Sequence, residues 1–290
     1  MEKILCPTDF SSTSAKAVDY AVYIAQHAGA HLSLVHVLHL PIIDTSETAL
    51  VASELLGEQM LEAAVKLKAL CRDLEEKHGA NRNGGFTCDY ILKEALLTDL
   101  AAELTSGGGY DLIVMGTTGL DNTMEELLIG SNTESVIEEV KCPVMSIPAS
   151  APPPSLNKIV YATDYSVEDR NALQQVVQLG SFFGSHIDVV HVVKPRAKNS
   201  SEEAEQFWRE LQEQFPGVPL SFQEVHSRHR DEGLKNYLRS AGGEVLAVVR
   251  RKKGFLKELF SQSLTERLTY QAEVPLLVLQ GEMPPLPEAR

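Results

Sequence analysis

Three short segments carry residue types suited to holding an anion. Asp9 follows the apolar run Ile4-Leu5-Cys6-Pro7-Thr8. Gly116-Thr117-Thr118-Gly119 follows Leu112-Ile113-Val114-Met115, and after ten intervening residues comes Gly130-Ser131-Asn132-Thr133. Together they have the logic of a phosphate cradle. Glycines let a backbone approach a polyphosphate closely and take φ > 0 without a Cβ clash. A helix opening near Ser131 would aim free N–H groups and the positive end of its dipole at the anion. The Ser131 and Thr133 hydroxyls can add hydrogen bonds, and the Asp9 carboxylate can accept from a ribose hydroxyl or help hold a metal ion. Glycines after a strand also serve as plain turn residues, and Ser131 or Asn132 as a plain helix cap. The cradle is favoured because the element follows a strand-like run, opens a helix and has Asp9 at a second strand end.

The elements that must position these residues occur twice. Ile4-Leu5-Cys6-Pro7-Thr8-Asp9-Phe10-Ser11 recurs as Ile159-Val160-Tyr161-Ala162-Thr163-Asp164-Tyr165-Ser166, and Leu34-Val35-His36-Val37 as Val189-Val190-His191-Val192, both displaced by 155 residues. Cys142-Pro143-Val144-Met145 recurs as Val274-Pro275-Leu276-Leu277 at a displacement of 132, so the second copy lacks 23 residues between its second and last strands. Such self-similarity implies two copies of one unit. The junction, Pro148-Ala149-Ser150-Ala151-Pro152-Pro153-Pro154-Ser155, is too rich in proline for regular structure. Domains are accordingly expected over 1–149 and 156–282.

In the first copy, short runs rich in Ile, Leu and Val predict strands at 3–6, 31–38, 86–92, 111–115 and 143–147. Helical periodicity predicts helices at 13–28, about 48–78, 95–106 and 131–140, with Ser11, Ser12 or Thr13 capping the first. The second copy repeats the strands near 158–162, 187–193, 219–226, 244–249 and 275–279. Alternation of this kind gives an α/β fold: two tandem Rossmann-like or flavodoxin-like domains, each a five-stranded parallel sheet with helices on both faces. Ligands of such sheets bind at the carboxyl ends of strands where the strand order reverses, here after strands one and four.

A net charge of −14 opposes nucleic acid as a general partner. No apolar run reaches the ~20 residues of a membrane helix, and the opening Met1–Asp9 is not a signal peptide; a cytoplasmic protein is expected. Cys6, Cys71, Cys88 and Cys142 have neither CxxC spacing nor a disulfide framework and read as reduced packing residues.

The glycine pattern, the strand-one Asp9 and the His-Val of strand two resemble the universal stress protein family, specifically tandem members with an ATP-binding first domain. The ten-residue interval between Gly119 and Gly130 is one longer than the family's. The resemblance implies ATP, with Mg²⁺ as counter-ion, bound in the first domain. Pro7, Thr8 and Asp9 would line the adenine and ribose side, and Val37 would pack on the base. Met115, Gly116 and Gly119 would pass beneath ribose and phosphates, and Gly130, Ser131, Asn132 and Thr133 would bind the phosphates. It further implies that the copies pair through their last strands, that tandem chains form a homodimer, and that the protein acts in the stress response through conformation or assembly, with unknown protein partners. No GxSxG elbow, Walker A motif or kinase signature occurs, so hydrolysis is expected to be weak at most. A slow ATP hydrolase and a nucleotide-independent interaction module are the alternatives.

The second copy lacks the cradle. Leu246-Ala247-Val248-Val249 runs into Arg250-Arg251-Lys252-Lys253, and Gln262 stands for Gly130, so this copy is not expected to bind ATP in the same manner. Arg228-His229-Arg230 and Arg250–Lys253 are expected at one sheet edge, either as a solvated surface or as a receptor for an anion or acidic partner. His226 and His229 are read as non-metal residues. His36 and His191 are read as packing residues with a backbone hydrogen bond, and Phe207, Trp208 and Leu211 as core.

Overall fold

The computed structural model describes residues 1–38, 46–79, 86–107, 109–117, 131–193, 200–250 and 274–281. It divides into two compact units, Met1–Cys142 and Pro143–Arg290.

The first unit runs β1 (Lys3–Pro7), α1 (Ser12–Ala28), β2 (His31–Leu38), α2 (Ser46–His78), β3 (Thr87–Glu94), α3 (Leu97–Ser106), β4 (Leu112–Gly116) and α4 (Ser131–Glu139). β1 pairs in parallel with both β2 and β4, and β2 with β3, giving the order β3-β2-β1-β4. Ile4, Leu5, Cys6, Ile113 and Val114 are completely buried, as central strands covered on both faces require. α1 begins because Ser11 accepts the Ser14 amide at 3.1 Å, and ends because Gly29 takes φ +64°. It buries Ala17, Ala21 and Ile24 on one face. α2 turns inward the stripe Ala63, Leu67, Cys71 and Leu74, spaced for a helix.

The second unit opens with β5 (Val144–Ile147). It continues with β6 (Lys158–Thr163), α5 (Val167–Ser181), β7 (His186–Val193), α6 (Ser200–Gln214), β8 (Leu220–His226), α7 (Arg230–Ala241), β9 (Val245–Arg250) and β10 (Leu276–Gln280). Strands β8-β7-β6-β9-β10 are parallel, the five-stranded sheet expected, and β5 runs antiparallel along β10. That pairing explains why β5, the last strand of the first repeat, groups with the second unit. The proline-rich junction forms no helix or strand, although Ala151 and Leu156 are buried. Most of the shortening of the second copy falls on one helix: α6 has 15 residues where α2 has 33. Among the described residues no helix is long and apolar enough to cross a membrane.

Candidate functional site

The chain leaves β1 for β2 on one side and returns to β4 on the other, so the carboxyl ends of β1 and β4 lie at the reversal of strand order. Their register, Ile4 beside Leu112 and Leu5 beside Ile113, sets the two ends next to each other. Such reversals open a crevice.

Side-chain hydrogen bonds shape the loop after β1. The Thr8 amide donates to the Val35 carbonyl at 2.7 Å, extending the β1–β2 ladder past Pro7. Thr8 Oγ1 accepts the Phe10 amide at 3.2 Å, and Asp9 Oδ1 accepts the Ser11 amide at 3.0 Å. These turns hold Phe10 at φ +64°, a conformation that costs a bulky L-residue of order 1–3 kcal/mol. The Phe10 ring lies 4.8 Å from that of His36, whose Nδ1 donates to the Thr8 carbonyl at 2.7 Å. Asp9 itself is half-buried. Burial works to raise its carboxyl, but hydrogen bonds from the Ser11 hydroxyl and amide and from the Ser14 hydroxyl outweigh it and hold the group below its usual value. Asp9 is therefore a carboxylate at neutral pH, held by its own loop.

At the end of β4, Met115 is buried and Gly116 faces the start of α1. A Cβ on Gly116 would fall 2.9 Å from Thr13 Cγ2 and 3.3 Å from the Thr13 carbonyl. Glycine is required there by helix–strand approach, a reason the sequence pattern did not disclose. Thr117 is buried. Thr133, in the first turn of α4, is 1% exposed and its hydroxyl donates to the Gly116 carbonyl at 2.9 Å. Asn132 is exposed, and Val37 is half-buried at the end of β2. Gly119 and Gly130 lie outside the described residues, as does the side chain of Ser131. Asp9, Gly116 and Thr133 are thus brought to one end of the sheet. Thr13, Ser14 and Phe10 join them unanticipated; the alignment of Phe10 with Tyr165 was the one available signal.

The second unit rebuilds the same loop. Tyr165 takes φ +68°, its amide donates to Thr163 Oγ1 at 3.0 Å, and the Ser166 amide donates to Asp164 Oδ1 at 3.3 Å. His191 Nδ1 donates to the Thr163 carbonyl at 2.8 Å beneath the stacked Tyr165 ring. Both strand-two histidines therefore hold a backbone carbonyl, as expected. Three substitutions change the site. Ile159 lies beside Val245, so register puts buried Val249 where the first unit has Gly116, and Arg250 where it has Thr117. Asp169 replaces Ser14: wholly buried, it accepts from the Tyr161 hydroxyl at 2.6 Å, the Thr163 hydroxyl at 2.7 Å and the Ser166 amide at 3.0 Å. Asp164, His191, Arg230, Leu234, Val248 and Val249 are among the residues lining a small open hollow here. Arg228 and Arg230 are exposed, whereas Arg251–Lys253 lie outside the described residues. Phe207 and Leu211 are buried, the core role expected of this helix, and the half-buried Trp208 stacks on Phe222 at 5.9 Å.

Comparison with known proteins agrees with this doubled architecture. A universal stress protein of Methanocaldococcus jannaschii is 32% identical over 152 residues, 50% of this chain and 81% of its own. One of Thermus aquaticus is 29% identical over 144 residues, 50% of this chain and 96% of its own. Among solved structures, a universal stress protein from Archaeoglobus fulgidus superposes with a TM-score of 0.69 at 17% identity, covering 97% of this chain and 98% of that one, which establishes likeness of fold. The model of the universal stress protein family matches residues 1–148 and again 155–280. With that match spanning nearly all of both repeats, the chain belongs to the universal stress protein family and carries its domain twice in tandem.

Proposed function

We propose that the first domain, residues 1–149, binds an adenine nucleotide, ATP with Mg²⁺ foremost, and that occupancy biases the conformation or assembly of the protein in a stress response. The observation that supports this reading is the convergence at the β1–β4 strand reversal: an ionised, half-exposed Asp9 on one side and, on the other, the N-terminus of α4 bonded to the end of β4 through Thr133 and Gly116. A carboxylate suits ribose hydroxyls, and a helix N-terminus suits phosphate. In this assignment Pro7, Thr8, Asp9 and Val37 hold the nucleoside, Met115, Gly116 and Gly119 floor the site, and Gly130, Ser131 and Asn132 meet the phosphates. Thr133 braces the cradle from behind. The second domain, residues 156–282, does not bind nucleotide in this way, because Val249 fills the floor and Asp169 adds a buried carboxylate beneath the loop.

The sequence carries no Walker A motif or kinase signature, and in this reading the nucleotide serves as a regulatory ligand with slow turnover. The experiment is calorimetric titration of the full chain with ATP and Mg²⁺. One nucleotide per chain, lost in Asp9→Ala, supports the proposal; two per chain, or binding indifferent to Asp9, contradicts it. Ligand at 100 times its Kd should also add about 2.7 kcal/mol to stability.

A further inference from the structure

Two of the four cysteines, distant in sequence and without a recognisable spacing, meet in the fold. Cys71 lies on the inward stripe of α2, 7% exposed, and Cys88 is partly exposed on β3. Their sulfurs are 3.2 Å apart, with the Cys88 thiol donating to Cys71. A disulfide would need them at about 2.05 Å, so closure asks for a shift of the order of 1 Å between two side chains. Their surroundings fix the pair. The Cys88 amide donates to Glu75 Oε1 at 3.0 Å, one turn of α2 beyond Cys71, and the Cys71 thiol donates to the Asp89 carbonyl at 3.3 Å. The helix and the strand are thus held together by polar contacts on both sides of the sulfurs.

We propose that Cys71 and Cys88 are a redox modification site, closed to an intrachain disulfide by a hydroperoxide such as hydrogen peroxide. The two sulfurs are chemically unequal. The hydrogen bond from Cys88 holds the Cys71 thiol below its usual value, whereas that bond and burial push Cys88 up. Cys71, which accepts the Cys88 thiol proton across 3.2 Å, is the attacking sulfur and Cys88 the resolving one. The Cys71 thiolate breaks the O–O bond and becomes a sulfenic acid; the departing hydroxide takes up the proton Cys71 has lost and leaves as water. Cys88 then attacks the Cys71 sulfur, its proton leaving with the sulfenic oxygen as a second water. Two thiols lose two electrons, and one peroxide becomes two waters. Cys6 and Cys142 stand outside this chemistry. Burial alone raises the Cys6 thiol and leads the rise of Cys142 to about 12, whereas the bond from Cys88 lowers Cys71.

The test is to treat the reduced full-length protein with hydrogen peroxide, block remaining thiols after unfolding, and map peptides by mass spectrometry. Loss of two hydrogens in a peptide pair joining Cys71 to Cys88, with Cys6 and Cys142 alkylated and the link reversed by dithiothreitol, is expected. In Cys88→Ser the link should vanish and a sulfenic acid, trapped by dimedone, should accumulate at Cys71. The proposal is overturned if the wild-type chain gains oxygen at either residue without forming the link, joins any other pair of cysteines, or stays fully alkylatable under peroxide that oxidises a free-cysteine control.

Discussion

The hydroxyl of Thr133 donates to the carbonyl oxygen of Gly116 across 2.9 Å, tying the first turn of α4 to the last residue of β4. Seventeen positions separate the two in the chain. The bond sets the origin of the helix against the strand end before any ligand arrives, so the ends of the glycine-containing loop are held at a fixed separation. Thr133→Val, close in shape, should cost about 1 kcal/mol by removing a part-buried hydrogen bond, and should weaken nucleotide binding. Thr133→Ser should recover most of both. Denaturant unfolding and calorimetry on the same variants read the two effects separately.

Gly116 is held to glycine by Thr13. Gly116→Ala would press a methyl against Thr13 Cγ2 and the Thr13 backbone, a crowding worth about 1–3 kcal/mol. Adding Thr13→Ser removes the nearer contact and should return part of the lost stability. A double-mutant cycle in urea should give a coupling between the two sites well beyond the ~0.3–0.5 kcal/mol scatter of independent positions.

Asp9 predicts a pH effect of definite sign. Its folded-state carboxyl lies below the ordinary value of 3.8, so the folded protein binds its proton less readily than the unfolded chain. The stability this contributes is complete above about pH 5 and is lost as pH falls through the depressed folded value. Wild type and Asp9→Asn should therefore differ most in melting temperature near neutrality and converge in acid. The salt-free acid limb of both melting curves is the measurement.

In the second domain the buried Asp169 receives two hydroxyls and the backbone amides of Asp164 and Ser166. Asp169→Asn turns one acceptor oxygen into a donor facing donors, and should cost about 2–3 kcal/mol. The converse change in the first domain, Ser14→Asp, puts a carboxylate under the Asp9 loop. It should lower affinity for ATP at least tenfold, as titration would record.

Much of this architecture could be read from residue order because its central strands β1, β4, β6, β9 and β10 are largely apolar runs and its repeat keeps one displacement across two segments. β1, for example, was expected at 3–6 and ends at Pro7, where the Thr8 amide still reaches Val35. Ser11, Ser12 and Thr13 are equivalent caps for α1 by residue type, and the Ser14 amide selects Ser11. What could not be read depended on tertiary approach. Nothing local marks Thr13 as the neighbour of Gly116, since helix and strand meet only in the packed sheet. An aromatic residue at φ +64° is equally silent, because left-handed turns are sought at glycine or asparagine. Cys71 and Cys88 read as unrelated residues for the same reason: one lies on a helix and the other on a strand, and only the fold brings both sulfurs to one point.

Native mass spectrometry of the full-length protein, purified without added nucleotide and then mixed with ATP and Mg²⁺, tests the central assignment most directly. One adenine nucleotide retained per chain, absent from Asp9→Ala while that variant remains folded, is the predicted result. A wild-type chain that stays bare at millimolar ATP, or an Asp9→Ala chain that carries the nucleotide equally well, would contradict it.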